Sequence, residues 1–188
     1  MSEIFSYLAA SPVIPAVRRT GDVAAACASP GRLVYVLTGD ISNIGGIVGS
    51  LVAAGKVACV NADLVEGLAG HPAAAAYLAS VGASGVVSTH HAVLKGARAH
   101  RLLVIQRTFL LDSQSVANVR RSLERFVPDA LEVLPAAVAP RTSGMLRDAA
   151  PGVAVIAGGL VATLAEIDEL VRLGIDAVSV SNPALWVV

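Results

Sequence analysis

Apolar residues in this chain come in short bursts, and the bursts recur at even intervals. Eight of them lie near residues 12–17, 32–37, 57–61, 85–88, 102–106, 130–134, 153–157 and 176–180. They are rich in Val, Ile and Leu and do not alternate strictly with polar residues. A strand covered on both faces, as in a parallel sheet, reads this way. Between the bursts the spacing becomes helical. Ile44, Ile47, Val48, Leu51 and Val52 fall on one stripe, with Gly55 as a stop. Val116, Val119, Leu123 and Phe126 form another, with Asp112 or Ser113 to cap its start and Pro128 beyond its end. Thr163-Leu164-Ala165-Glu166 has the spacing of a capping box, and Gly174 closes the helix it opens. Strand and helix alternating eight times predict a compact (βα)8 TIM-type barrel of parallel strands. An open doubly wound sheet is the second reading. Such barrels typically run to about 250 residues, so 188 residues imply tight loops and a single domain over residues 1–188.

Composition narrows the partners. The chain is 55% hydrophobic and 15% charged, against roughly 25% charged for an ordinary soluble domain. Formal net charge is zero, so no global field draws it to nucleic acid or membrane. Mean hydropathy is +0.69, yet the longest stretch without Asp, Glu, Lys or Arg, Gly67 to Leu94, is broken by Pro72, several serines and glycines. That punctuation suits short buried elements rather than a spanning helix. Glu3 near the start and the lack of a basic, then apolar, leader argue against a signal peptide. Cys27 and Cys59 read as small buried hydrophobes in a reducing cytoplasm.

Chemistry in a barrel gathers where strands end. The last two bursts break into Gly158-Gly159 and Ser181-Asn182. Backbone N–H groups of Gly158, Gly159, Ser181 and Asn182 would face one point, which is how such barrels hold a phosphate. The other strand ends offer Arg18, Asp40, Asn61, Asp63, Glu66, Ser88, Thr89, His90, Gln106, Arg107 and Thr108. Asp40, Asp63, Glu66 and Glu132 suit acid/base work, a divalent cation or hydroxyl acceptance, and equally helix capping. Glu132 is the sharpest, a lone charge in Ala130-Leu131-Glu132-Val133-Leu134 that points into the barrel and needs a partner. Arg107, ending its strand, could supply it or reach a phosphate. His90-His91 lacks a third ligand at metal spacing and reads as a polar helix start, so no metal or other cofactor is expected. The only lysines are Lys56 and Lys95, neither at a strand end, which argues against a Schiff-base aldolase. No G-x-S-x-G, H-E-x-x-H, Walker A or C-x-x-C pattern occurs.

The strand-end segments also spell a series of words. They are Pro12-Val13-Ile14-Pro15-Ala16-Val17-Arg18, Ala62-Asp63-Leu64-Val65-Glu66-Gly67-Leu68, Val87-Ser88-Thr89 and Ile105-Gln106-Arg107-Thr108-Phe109-Leu110-Leu111-Asp112-Ser113. Pro128-Asp129-Ala130-Leu131-Glu132-Val133-Leu134-Pro135, Ile156-Ala157-Gly158-Gly159-Leu160 and Val178-Ser179-Val180-Ser181-Asn182 with Leu185-Trp186 follow in order. Together they resemble the glycerol-3-phosphate responsive antiterminator family over nearly the whole chain. The resemblance implies a bacterial cytoplasmic regulator that binds glycerol 3-phosphate and then acts on leader mRNA of glycerol-use genes to prevent premature termination. It implies that Gly158, Gly159, Ser181 and Asn182 hold the phosphate. It places Asp63, Glu132 and Arg107, with Asp40 as a further candidate, around the glycerol part. The chain departs from the family at Asn61, where His is frequent, at His90, where a basic residue follows Ser-Thr, and in its few lysines.

Charge distribution supplies one feature that suits RNA. Lys95, Arg98, Arg101, Arg120, Arg121 and Arg125 cluster in sequence, opposed by Asp112 and Glu124. Lys95 with Arg98, and Arg121 with Arg125, are at same-face helical spacings and could form one basic outer stripe. A solvated helix face is the plainer reading. The charge-poor exterior favours a homodimer. Two other functions fit the same residues: a small phosphometabolite enzyme using Asp63 and Glu132 as acid and base, and a ligand-binding relative that has lost RNA.

Overall fold

The computed structural model describes residues 3–68 and 70–187. A short helix α1 (Ile4–Leu8) precedes β1 (Val13–Val17) and α2 (Val23–Ala28). Then come β2 (Leu33–Val36), α3 (Ile44–Ala53), β3 (Val57–Asn61), α4 (Pro72–Ser80), β4 (Gly85–Ser88) and α5 (His91–Ala99). The second half runs β5 (Leu103–Phe109), α6 (Ser113–Leu123), β6 (Ala130–Leu134), α7 (Ala139–Ala149), β7 (Ala154–Gly158), α8 (Leu164–Arg172) and β8 (Ala177–Val180). The strands pair in sequence order, all parallel, and β8 returns to β1 to close the barrel. The expected (βα)8 architecture is therefore the observed one.

Two cores explain why the strands read as uniformly apolar. Along β3, Val57 and Cys59 enter the barrel interior, while Ala58 and Val60 pack outward under the helices. Along β7, Ala154 and Ile156 face in, and Val155 and Ala157 face out. Ile4 and Leu8 of α1 join the interior core beside Leu33 and Val57, which begin their strands, so α1 plugs the bottom. The polar end of the interior is the opposite one, at the carboxyl ends.

Three details differ from the periodicity. β5 does not stop at Gln106 but continues through Arg107 and Thr108 to Phe109. Polar residues tolerate that extension because β6 pairs with it along its length, Phe109 opposite Leu134. Val52 of the α3 stripe is exposed, while Ile44, Ile47, Val48 and Leu51 are buried. After β8 the described chain forms a 3-10 turn, Pro183–Leu185, rather than a full helix, and buried Trp186 anchors it by donating from Nε1 to the Val180 carbonyl at 2.8 Å. The two helix starts follow the sequence signals. Asp112 caps α6, accepting from the Ser115 N–H at 2.7 Å. The Thr163 hydroxyl accepts from the Glu166 N–H at 3.2 Å, and Glu166 accepts in return from the Thr163 N–H at 2.9 Å.

Candidate functional site

The carboxyl-end mouth holds a cavity of about 100 Å³ whose walls include Arg18, Arg107, Glu132, Gly159, Ser179 and Ser181. Its centre is Glu132 on β6, whose side chain is 1% exposed. One carboxylate oxygen accepts from Arg107 Nε on the neighbouring strand at 2.6 Å. The other accepts from the Ser179 hydroxyl on β8 at 2.7 Å. A buried carboxylate is tolerable only with such partners. Gly158 on β7 lies between β6 and β8 and makes the arrangement possible. A Cβ there would stand 2.6 Å from the Ser179 hydroxyl and 3.0 Å from Glu132. The missing side chain is the space the carboxylate occupies.

Arg107 spends only its Nε on protein; among the described residues its two Nη nitrogens have no acceptor. Arg18, at the end of β1, is exposed, lines the same cavity and makes no ion pair among the described residues. Two guanidiniums against one carboxylate leave this cavity with one excess positive charge. Gly159 and Leu160, in the loop after β7, both have left-handed backbones at φ 80° and 62°. For Leu160 that conformation is strained, since its Cβ crowds the backbone there.

Two interior groups near this end lack partners. The Tyr35 hydroxyl is fully buried without a hydrogen bond. Burial pushes its ionisation well above the ordinary phenol range, and the Glu132 charge adds to that. Asn61 keeps its carbonyl oxygen on the Asp63 N–H at 3.0 Å, while its Nδ2 is buried with no acceptor. Buried polar groups are nearly always paired, so each such exception asks for an explanation. Sequence reading passed over Tyr35 because a Tyr in an apolar strand reads as core. It named Asn61 without a role.

The remaining candidates lie elsewhere. Asp63 accepts from the Ser88 hydroxyl at 2.5 Å, from Thr89 N–H and hydroxyl at 2.7 and 2.9 Å, and from His90 Nδ1 at 3.1 Å. Burial alone would raise its pKa, but these donors together hold it below the usual carboxylate value. It ties β3 to the β4 loop and does not line the cavity. Asp40 accepts from the Ser42 N–H and hydroxyl at 2.7 and 2.5 Å, and from Asn43 Nδ2 at 2.7 Å. It organises the turn into α3, and the Ser42 hydroxyl leads the donors that lower its pKa. Glu66 pairs with the Asp40 backbone at an isolated bridge. Asn182 turns its side-chain oxygen to the Ala184 N–H at 3.1 Å, capping the final turn. Of the expected site residues, the structure thus gathers Arg107, Glu132, Gly158, Gly159 and Ser181, and sets Asp40, Asp63 and the Asn182 side chain apart.

The basic cluster divides. Lys95, Arg121 and Arg125 line a groove between α5 and α6. Arg98 is drawn away to Asp129 at 3.0 Å and to the Val127 carbonyl at 3.1 Å. Arg101 lines a cleft with Glu3, Tyr7 and Asp129 at the barrel bottom. Arg120 is exposed on α6 outside the groove. His90 and His91 diverge, one facing Asp63 and the other bonded through Nε2 to the Ser122 hydroxyl at 2.8 Å. Among the described residues no cluster of His, Cys, Asp and Glu could hold a metal, and no helix is long and apolar enough to cross a membrane. Cys27 and Cys59 are free thiols.

Comparison with known proteins places the chain in a family. The family model for the glycerol-3-phosphate responsive antiterminator matches residues 13–186. An Escherichia coli (strain K12) relative, the uncharacterized protein YgcP, is 32% identical over 184 residues, covering 97% of this chain and 95% of its own. A glycerol uptake operon antiterminator-related protein from Thermotoga maritima superposes with a TM-score of 0.83 at 30% identity, covering 93% of this chain and 96% of that one. The glycerol uptake operon antiterminator regulatory protein of Listeria monocytogenes gives 0.85 at 28% identity, covering 93% and 94%. An aldolase barrel at 12% identity, TM-score 0.71, covers 100% of this chain and 95% of its own, and shares the fold alone. The chain belongs to the glycerol-3-phosphate responsive antiterminator family.

Proposed function

We propose that this chain senses glycerol 3-phosphate at the barrel mouth and, when loaded, binds leader mRNA of glycerol-use genes in the bacterial cytoplasm to prevent premature termination. The observation that carries the ligand half is the buried Arg107–Glu132–Ser179 constellation with its unspent Arg107 Nη nitrogens. A phosphate is held by backbone N–H groups and, more strongly, by cationic donors in fixed positions. Arg107 and Arg18 supply them, and the loops carrying Gly159 and Ser181 close the same cavity. A polyol needs both acceptors and donors. Glu132 accepts, and the Tyr35 hydroxyl and Asn61 Nδ2, though not on the walls of the cavity, are buried donors without acceptors near the ends of β2 and β3. Asp63 serves this site by holding the β3 end that carries Asn61.

Calorimetric titration with glycerol 3-phosphate, beside glycerol and inorganic phosphate, tests the reading. Saturable binding stronger than either fragment is expected. Heat from phosphate alone, with turnover of a phosphorylated triose or polyol, would replace the sensor with an enzyme. No binding of any of the three would sink it.

A further inference from the structure

The groove between α5 and α6 is left unused by the ligand site, and unlike the cleft at the barrel bottom it has no carboxylate on its walls. It measures about 420 Å³ and is walled by Lys95, Arg121 and Arg125. None of the three is in an ion pair among the described residues, and no carboxylate lines the groove. Through His91, Asn118 and Ser122 it continues into a recess of about 300 Å³ that reaches Gln106 and Arg107 at the mouth.

Two further observations describe what fits there. Phe126 and His91 stand edge to face in the groove, ring centroids 6.2 Å apart. The Arg98 guanidinium lies over the Phe126 ring, 5.9 Å from its centroid, so the ring surface left for a ligand is that away from Arg98. The floor is a polar chain: Ser122 shares a 2.8 Å bond with His91 Nε2 and accepts from Gln106 Nε2 at 3.4 Å. Gln106 is 4% exposed, and its Oε1 is buried without a donor. Uncompensated cations ask for phosphates, rings offer surface to a flat heterocycle, and an orphaned amide oxygen asks for an N–H. An acidic peptide would satisfy the first requirement, and with a backbone N–H the third, but a polyglutamate chain brings no flat ring.

The floor is also tied to the mouth. Successive residues of a strand face opposite ways. Arg107 therefore points inward to Glu132 while Gln106, its chain neighbour, points outward to Ser122 of α6. A ligand that draws on Arg107 bears on the same strand position that supports the groove.

We propose that the α5–α6 groove seats an unpaired nucleotide of the bound RNA, and that β5 couples its affinity to ligand in the mouth. The inference rests on the RNA-binding reading above. Fluorescence anisotropy with a short single-stranded RNA of random sequence, the matching duplex and polyglutamate, each with and without glycerol 3-phosphate, tests it. Single-stranded RNA should bind preferentially, and about tenfold more tightly with ligand, within the usual range of allosteric coupling. By reciprocity, RNA should tighten ligand binding by the same factor. The double variant Arg121→Glu with Arg125→Glu should weaken RNA about tenfold or more, because each lost phosphate contact also removes counterion release. Arg120→Glu, on the same helix but outside the groove, should change it by less than about twofold. Gln106→Leu, which removes the amide oxygen from the groove floor, should bind RNA more weakly than wild type in the absence of ligand and should also lose the ligand-dependent gain. All three proteins should bind glycerol 3-phosphate as the wild type does when RNA is absent, which shows that they fold. Equal weakening by Arg120→Glu and the double variant would overturn the groove while leaving RNA binding in place. So would polyglutamate competing as well as RNA, or a preference for duplex. Wild-type protein that bound no RNA in either state would remove the RNA reading and the groove together. Gln106→Leu with an intact ligand response would overturn the coupling through β5.

Discussion

The mouth of the barrel carries carboxylates on both sides, and the two sides spend them differently. Over β2–β4, Asp40 and Asp63 are each surrounded by donors. Asp40 takes its donors from the next few residues, and Asp63 takes them from the adjoining β4 loop. Over β5–β8, Glu132 takes one donor from the strand before it and one from β8, two strands on. Its principal partner, Arg107, keeps donor capacity in reserve, and Arg18 stands by it unpaired. A carboxylate saturated by an adjoining turn, its own for Asp40 and the β4 loop for Asp63, acts as a structural tie. One held across strands by a half-used guanidinium keeps donors free to meet a ligand. The distinction lies in where the donors originate, which residue type alone does not encode.

The largest effect should follow from emptying the cross-strand side. Glu132→Leu leaves the Arg107 guanidinium, 11% exposed, without its counter-ion. Removing one partner of a buried pair costs about 3–5 kcal/mol. The lower end is expected in urea denaturation, because Arg107 borders a cavity that can take water. Replacing both, Glu132→Leu with Arg107→Leu, should recover part of the loss, as double-mutant coupling of neighbours requires. Full additivity of the two single losses would mean that the pair contributes no mutual stabilisation. Next in size is Gly158→Ala. Its Cβ would meet Ser179 at 2.6 Å, and overpacking of this kind costs about 1–3 kcal/mol. Since Glu132 must shift to make room, glycerol 3-phosphate affinity should fall about tenfold, equivalent to about 1.4 kcal/mol. Unchanged affinity in calorimetry would show that the carboxylate's position does not matter to the ligand.

Asp63→Asn breaks the other side. Charge-assisted bonds from Ser88, Thr89 and His90 weaken, at a cost of about 1–2 kcal/mol, while ligand affinity should stay within about twofold of wild type, a change of under 0.5 kcal/mol by the tenfold rule. The pH dependence has a definite sign. The folded pKa of Asp63 is depressed, so its contribution is fully present above the unfolded value of about 3.9. It is lost as pH falls through the folded value. The stability gap between wild type and Asp63→Asn should therefore be widest near neutrality and close in acid. A gap that widened as pH fell would contradict the assignment of Asp63 as a bonded anion.

The pattern of apolar bursts carried the fold because buried parallel strands must be apolar on both faces. Every observed strand begins within one residue of a burst. It failed where polarity was local: β5 runs three residues past Gln106 because Arg107 and Thr108 belong to the mouth. Val52 continued a stripe that the helix does not bury. In the site, Glu132 was legible as a lone charge among apolar neighbours, and Arg107 as its partner. Ser179 was not legible, since a Ser inside Ala177–Val180 gives no hint that it faces a carboxylate 47 residues away in sequence. Nor was the isolation of Asp40, which depends on how tightly its own turn winds, or of Asp63, which depends on the β4 loop 25–27 residues away in sequence. The basic cluster read as one stripe, but Asp129 lies within reach of Arg98 in space and draws it off.

Tyr35 gives the smallest and most selective test. It rises from β2, the side whose carboxylates are already spent, and its hydroxyl is close enough to Glu132 and Arg107 to register both charges. That hydroxyl has no hydrogen-bond partner among the described residues. Deleting a buried group that makes no bond should not cost stability. Relieving an unmet desolvation penalty of about 1–3 kcal/mol should hold or raise the urea midpoint of Tyr35→Phe. If the hydroxyl is instead kept for a ligand oxygen, the same variant should lose glycerol 3-phosphate affinity while inorganic phosphate binds as before. That split would divide the mouth by chemistry as well as position, with the cationic β5–β8 side taking the phosphate and neutral donors from β2 and β3 taking the hydroxyls. A Tyr35→Phe protein that gained stability and kept full affinity would return Tyr35 to the core, and leave Asn61 Nδ2 as the remaining unpartnered donor for the glycerol end.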